Sequence, residues 1–169
     1  YDRSGNSFDG TRTNGPTLIA GRAGQALDFD GTDDYVSVAD NASLDFTTSA
    51  DFSISGWFYR DTFTTDDTII AKRNGITAGD AGYILYIDDA TDQIIFETSD
   101  GTDEFSTTSV TTFTATGWHH FAIVWDDNSA TNTDIYIDGI ANNATDSGNS
   151  LAQASVGDLS NALVLAHGA

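Results

Sequence analysis

A chain of 169 residues with 26 acidic against six basic side chains carries a net charge of -20, which repels nucleic acid and anionic membranes and favours cations, basic partners or neutral ligands. Cysteine is absent, which excludes a disulfide framework, a thiolate metal site and a cysteine nucleophile. The length suits a single domain, residues 1–169, that buries roughly 70% of the surface its unfolded chain exposes, and no apolar run approaches the roughly 20 residues that cross a bilayer, so no membrane insertion is expected.

Taken in chain order, the sequence offers strands and almost no helix. No long segment repeats apolar residues at 3.6 spacing, and threonine, valine, isoleucine and aromatics prevail where apolar residues cluster. Strands are predicted at Ala26 to Phe29, Tyr35 to Val38, Asp51 to Arg60, Thr68 to Lys72, Gly82 to Asp88, Gln93 to Thr98, Trp118 to Trp125, Thr133 to Asp138 and Ala162 to Ala166. The pairs Asp30-Gly31, Asn74-Gly75, Asp100-Gly101 and Asp138-Gly139 suit the positive φ angles of tight hairpins. The polar stretch Asn142 to Ser150 reads as a loop. Many short strands at this spacing predict an all-β, two-sheet antiparallel sandwich or a barrel.

Alternation assigns the faces. In DFSISGWFYR, Phe52, Ile54 and Phe58 share one side, predicted to be core, and Ser53, Ser55, Trp57 and Tyr59 share the other. Two large aromatics among small hydroxyls suit a ligand-binding face, where sugar C–H faces would stack on Trp57 and Tyr59 and hydroxyls would meet Ser53 and Ser55. The plainer alternative packs Trp57 under a loop. In WHHFAIVW both alternating sets are largely apolar, which predicts a central strand covered on both sides, with Trp118 and Trp125 in the core. His119 and His120 point to opposite faces and so do not share a metal ion. In DIYIDG, Ile135 and Ile137 point inward and Tyr136 outward.

Aspartate dominates the acidic residues, since glutamate occurs only at positions 97 and 104, and Lys72 is the sole lysine. That balance fits turn-rich β structure and an extracellular, salty or calcium-containing setting. Four aspartates, Asp28, Asp30, Asp33 and Asp34, crowd into ALDFDGTDDYVSV. Calcium takes six to eight oxygens from irregular loops of this kind, so this set is the candidate Ca2+ site; the alternative is that the carboxylates cap their own turns and face water. Asp66-Asp67, Asp88-Asp89 and Asp126-Asp127-Asn128 read as solvated turns and weaker candidates. Asn41 and Asn143 match glycosylation acceptors.

The segments DRSGNSFDGT (Asp2 to Thr11), GRAGQALDFDGTDDYVSV (Gly21 to Val38), FSISGWFYR (Phe52 to Arg60), TIIAKR (Thr68 to Arg73), GWHHFAIVWDD (Gly117 to Asp127) and DIYIDGI (Asp134 to Ile140) together resemble, in order, the LamG-like jelly rolls of the concanavalin A-like lectin/glucanase superfamily. The resemblance implies a jelly-roll sandwich and makes rim calcium and carbohydrate binding or adhesion the expected properties, the fold itself hosting several functions. Relatives usually continue with a last strand beyond the segment matching ALVLAHGA; the chain reads as an excerpt of a longer protein that opens on Tyr1, with replacement of that strand or its supply by another polypeptide as alternatives. Glucanases with this fold use closely spaced glutamates, and Glu97 and Glu104 lack that spacing. The sequence therefore predicts a non-catalytic extracellular module that binds a carbohydrate or glycoprotein surface. The alternative is a structural or assembly domain of a surface layer, filament or virion with protein subunits as partners.

Overall fold

The computed structural model describes residues 2–46, 51–61, 66–73, 80–125, 133–148 and 159–166. Its strands are β1 (Gly10–Thr13), β2 (Thr17–Gly21), β3 (Gly24–Asp28), β4 (Tyr35–Val38), β5 (Phe52–Arg60), β6 (Asp67–Arg73), β7 (Gly82–Ile87), β8 (Gln93–Ser99), β9 (Glu104–Thr112), β10 (Gly117–Trp125), β11 (Thr133–Ile137), β12 (Ile140–Ala141), β13 (Asn143–Gly148) and β14 (Leu163–Leu165), with one 3-10 turn at Ala42–Leu44. An eight-stranded sheet runs β1-β4-β14-β6-β7-β8-β9-β13, and a four-stranded sheet runs β12-β11-β10-β5. β2 and β3 form a separate hairpin, and every pairing is antiparallel. This is the all-β sandwich the alternation predicts.

The core lies between the two large sheets. Tyr83, Leu85, Ile87, Ile94 and Phe96 from one meet Phe121, Ile123, Trp125, Ile135 and Ile137 from the other. Each such side chain, removed from water, contributes about 1.5 to 3 kcal/mol. Along β5 the burial alternates as the period of two demands: Phe52, Ile54 and Phe58 pack against this core while Ser53, Ser55, Trp57 and Tyr59 are exposed. Phe52 stacks between Phe46, at 3.6 Å, and Trp125, at 5.8 Å.

Buried cations, Lys72 and Arg60 among them, hold the edges of this core. Lys72 on β6 is fully buried and donates to Asp45 Oδ1 (2.5 Å), Asp40 Oδ1 (2.9 Å) and the Leu159 carbonyl (2.9 Å). Arg60, at the end of β5, donates to Asp67 (2.7 Å), Asp92 (2.5 Å) and the Phe113 carbonyl (3.2 Å). Asp67 therefore begins a strand and anchors an arginine; it is not part of a solvated turn. Burial raises its pKa, against the lowering effect of Arg60.

Several expectations are corrected. Asn143–Gly148, predicted as loop, is a strand paired with β9; its polar sequence hides it because it is tied by ladder bonds at a sheet edge. β10 is central in its sheet, and among the described residues its outer face is only partly covered. Phe121, Ile123 and Trp125 are buried, whereas on the other face Trp118, His120 and Ala122 are half-buried and Val124 is 38% exposed. Trp118 is thus an outer-face residue and Trp125 alone of the two is core. Asp30-Gly31, Asp100-Gly101 and Asp138-Gly139 do take positive φ at Gly31, Gly101, Asp138 and Gly139, while Asn74-Gly75 and Asp126-Asp127-Asn128 lie outside the described residues.

Candidate ligand-binding face and acidic rim

The outer face of the β12-β11-β10-β5 sheet carries the exposed aromatics. Register sets Tyr59 opposite Trp118, Trp57 opposite His120, Ser55 opposite Ala122 and Ser53 opposite Val124. The next strand continues these rows, with Tyr136 beside Ala122 and Asp134 beside Val124. Tyr59 meets the Trp118 ring edge-on at 5.5 Å, and Trp57 meets His120 edge-on at 5.2 Å. Each exposed ring is thus braced edge-on by its cross-strand neighbour, an arrangement that fixes its orientation. Trp57 stays 45% exposed and Tyr59 49% exposed. The structure brings Ser53, Ser55, Trp57 and Tyr59 to one face, as alternation predicts.

A residue from elsewhere in the chain joins them. Arg22, in the turn of the β2–β3 hairpin, places its guanidinium carbon 5.5 Å from the centroid of the Trp57 ring, within cation–π range. No periodicity links positions 22 and 57, so sequence reasoning missed this contact, along with the bracing roles of Trp118 and His120.

The inner histidine is built differently. His119 packs between Phe58 (5.7 Å) and Phe113 (5.0 Å), and its Nδ1 lies 2.9 Å from Asp138 Oδ2. The His119 contact, followed by the His120 N–H, holds the Asp138 carboxyl below the usual range. The two histidines do face opposite sides.

At the rim, Asp30, Asp33 and Asp34 bring carboxylate oxygens within 4.8 Å of one another. Asp28 is not in this group. It is exposed at the end of β3 and the chain turns only after it. Asp30 Oδ1 accepts the Thr32 N–H (2.9 Å) and the Asp33 N–H (3.3 Å), and Asp34 Oδ2 accepts the Asp30 N–H (3.2 Å). These backbone donors, Thr32 first, lower the Asp30 pKa. An all-oxygen set of this kind fits a hard cation such as calcium, with Asp30, Asp33 and Asp34 as its holders. A second group, Asp66 just before β6 and Asp88 and Asp89 just after β7, brings its carboxylates together; the sequence marks both pairs but gives no sign that they meet.

Glu97 and Glu104 are not direct cross-strand partners. Glu97 stands opposite Ser106 and Glu104 opposite Ser99. Glu97 instead accepts from Arg73 (3.2 Å) and the Tyr86 hydroxyl (2.8 Å). A polar recess of about 190 Å³ lies between residues 6–9 and 38–41, smaller than the roughly 300 to 1,000 Å³ of pockets that enclose a small molecule.

An antiparallel two-layer β-sandwich is the architecture of a lectin-like jelly roll. The chain belongs to the Laminin_G_3 family of the concanavalin A-like lectin/glucanases superfamily, whose model matches residues 30–163. No curated protein matches it by sequence. Among solved structures it is similar to domains LG4-5 of the mouse laminin α1 chain, with a TM-score of 0.51 at 14% identity over 81% of this chain and 32% of that one. It is also similar to a structure of botulinum neurotoxin type C, whose cell entry is described as dependent upon interaction with two ganglioside molecules, with a TM-score of 0.57 at 13% identity over 95% of this chain and 38% of that one. The carbohydrate-binding module CBM66 of Bacillus subtilis aligns with a TM-score of 0.48 at 16% identity, over 94% of this chain and 88% of the module. The chain thus spans about a third of the length of the first two, and at these identities the likeness is one of fold. Among the described residues no helix is long and apolar enough to cross a membrane.

Proposed function

We propose that the protein is a non-catalytic, extracellular module that binds a carbohydrate or glycoconjugate on the outer face of its smaller sheet. The observation that carries this reading is the pair Trp57 and Tyr59, large rings left half in water on a rigid strand while their neighbours brace them edge-on. Aromatics are costly to leave exposed, and a sugar ring laid on them would remove that surface from water while Ser53 and Ser55 met its hydroxyls. Glu97, held by Arg73 and Tyr86, has the setting of a structural carboxylate. The superfamily and the laminin and toxin neighbours agree with a binding module.

A glycan array followed by affinity electrophoresis tests the reading. Trp57→Ala is expected to weaken the best glycan by more than about 2 kcal/mol, roughly thirtyfold, as removal of a central aromatic anchor does. Silence across a broad array sinks it. Silence together with ordered self-assembly would favour the second reading, an assembly domain. That reading draws on β5, whose nine residues form one end of their sheet among the described residues, and such an edge can accept a strand from a partner.

Calcium at Asp30, Asp33 and Asp34 belongs to the same proposal, as a brace for the rim. Calcium at a hundred times its Kd is expected to stabilise the fold by about 2.7 kcal/mol, a rise in Tm of roughly 5 to 10 °C for a chain of this size, reversed by chelator and lost in Asp30→Asn/Asp33→Asn. A midpoint that does not move in saturating calcium retires the site.

A further inference from the structure

We infer that Arg22 and Trp57 form one subsite for a carboxylated sugar, a pyranose ring bearing a single carboxylate within an otherwise neutral glycan. This rests on the reading of the outer sheet face as a saccharide surface and specifies what that surface selects.

The placement of the basic residues motivates it. Of six lysines and arginines against 26 acids, Arg60, Lys72 and Arg73 are buried in ion pairs. Arg22 is exposed and takes part in no hydrogen bond or ion pair among the described residues. In so acidic a chain an arginine has abundant carboxylates to pair with, and this one sits over the exposed tryptophan instead. A guanidinium presents five N–H donors in a planar fork that matches a carboxylate with two parallel bonds. A sugar ring laid against the exposed part of Trp57, beside the Arg22 guanidinium, would bring an equatorial carboxylate to that fork. Hydrogen bonds to a charged acceptor would then select for it.

The surrounding charge decides how many negative groups the ligand can carry. On this sheet the acidic residues Asp51, Asp61 and Asp134 stand at least four residues along the strand direction from the Trp57 row, about 13 Å at the rise of a strand and beyond the roughly 8 Å screening length at physiological salt. Asp138 is nearer but is turned to His119 and the His120 N–H. A single carboxylate on Trp57 therefore meets the arginine with little opposition. A densely sulfated chain would extend over the rest of a surface of net charge -20 and be repelled.

Titration calorimetry decides the matter with an oligosaccharide containing one glucuronic acid, the same oligosaccharide as its methyl ester, the pair sialyllactose and lactose, and heparin. Either carboxylated probe is expected to bind at least tenfold more tightly than its neutral counterpart, with the difference shrinking severalfold between about 50 and 300 mM salt, and heparin is expected not to bind. Whichever pair shows the larger ratio tells an in-chain uronate from a terminal acidic sugar. Arg22→Gln is expected to erase the preference for the acid over the neutral form, whereas Trp57→Ala weakens both. Equal binding of acid and neutral forms, or a preference that survives Arg22→Gln, overturns the subsite while leaving the saccharide face intact. No binding of any saccharide overturns both. The wild-type comparison of acid with ester needs no variant to fold.

Discussion

Lys72→Ala is expected to destabilise the protein by about 3 to 5 kcal/mol, the usual consequence of stripping one partner from a buried ion pair. The reason lies with the residue left behind. The Asp45 side chain is only 2% exposed, its Oδ1 accepts from Lys72 Nζ, and its Oδ2 has no hydrogen-bond partner among the described residues. Without the ammonium this carboxylate is buried with nothing to compensate its charge, and the Leu159 carbonyl loses its donor as well. At about 2 to 4 °C per kcal/mol for a chain of this length, Tm should fall roughly 6 to 20 °C, readable by calorimetry or urea unfolding. Lys72→Met, which keeps most of the packing, should cost nearly as much, and Lys72→Met/Asp45→Leu should recover most of the loss, because removing both charges removes the penalty. A single-variant loss below about 1 kcal/mol would show that water reaches Asp45 and that the clip is dispensable.

Gly82→Ala should cost about 2 to 5 kcal/mol, from two effects that add. Gly82 has φ +135°, a conformation that residues with a Cβ adopt only at a cost of about 1 to 3 kcal/mol. A methyl group there would also overlap the Lys72 carbonyl oxygen and Arg73 Cα and Cβ. Those are backbone atoms and the base of a side chain, pinned on both sides by the pairing of Gly82 with Arg73 and with Ser99, so relief requires the β6–β7 ladder to part. Gly139→Ala serves as the control: φ is +82° but nothing lies within 4 Å of the added carbon, so only the backbone cost of about 1 to 3 kcal/mol applies. Urea midpoints of the two variants separate the effects. Equal losses would mean that the overlap is absorbed without displacement. Because Gly82 abuts the Lys72 backbone, the Gly82→Ala and Lys72→Ala losses should not add.

Much of the architecture was legible where one face is apolar. Phe52, Ile54 and Phe58 alternate with Ser53, Ser55, Trp57 and Tyr59, and that period alone oriented β5. Where the inward residues are hydroxyls the signal fades. β9, EFSTTSVTT, passed unnoticed although Thr107 and Ser109 are fully buried; threonine is β-branched and fills such sites, yet a hydropathy pattern scores it as polar. The double coverage expected of β10 failed for a related reason. Trp118, His120 and Ala122 look like core in a list of residue types, and only the register reveals that they brace exposed rings on an outer face.

The site residues divide the same way. Alternation within one strand grouped four of them, and a turn grouped Asp30, Asp33 and Asp34 while Asp28, on the straight part of β3, stayed apart. Contacts between distant segments, Arg22 with Trp57 or Asp66 with Asp88 and Asp89, arise from how the hairpin and sheets pack. No local pattern encodes them.

The one lysine has a chemical consequence beyond its ion pairs. Because the sole ε-amino group is sealed inside the sandwich, the folded domain offers no side-chain amine to acylating reagents, reducing sugars or conjugating enzymes. Acylation at position 72 thus becomes a clock for transient opening of the fold, while labels intended for the native surface must be attached through carboxylates, which it has in excess.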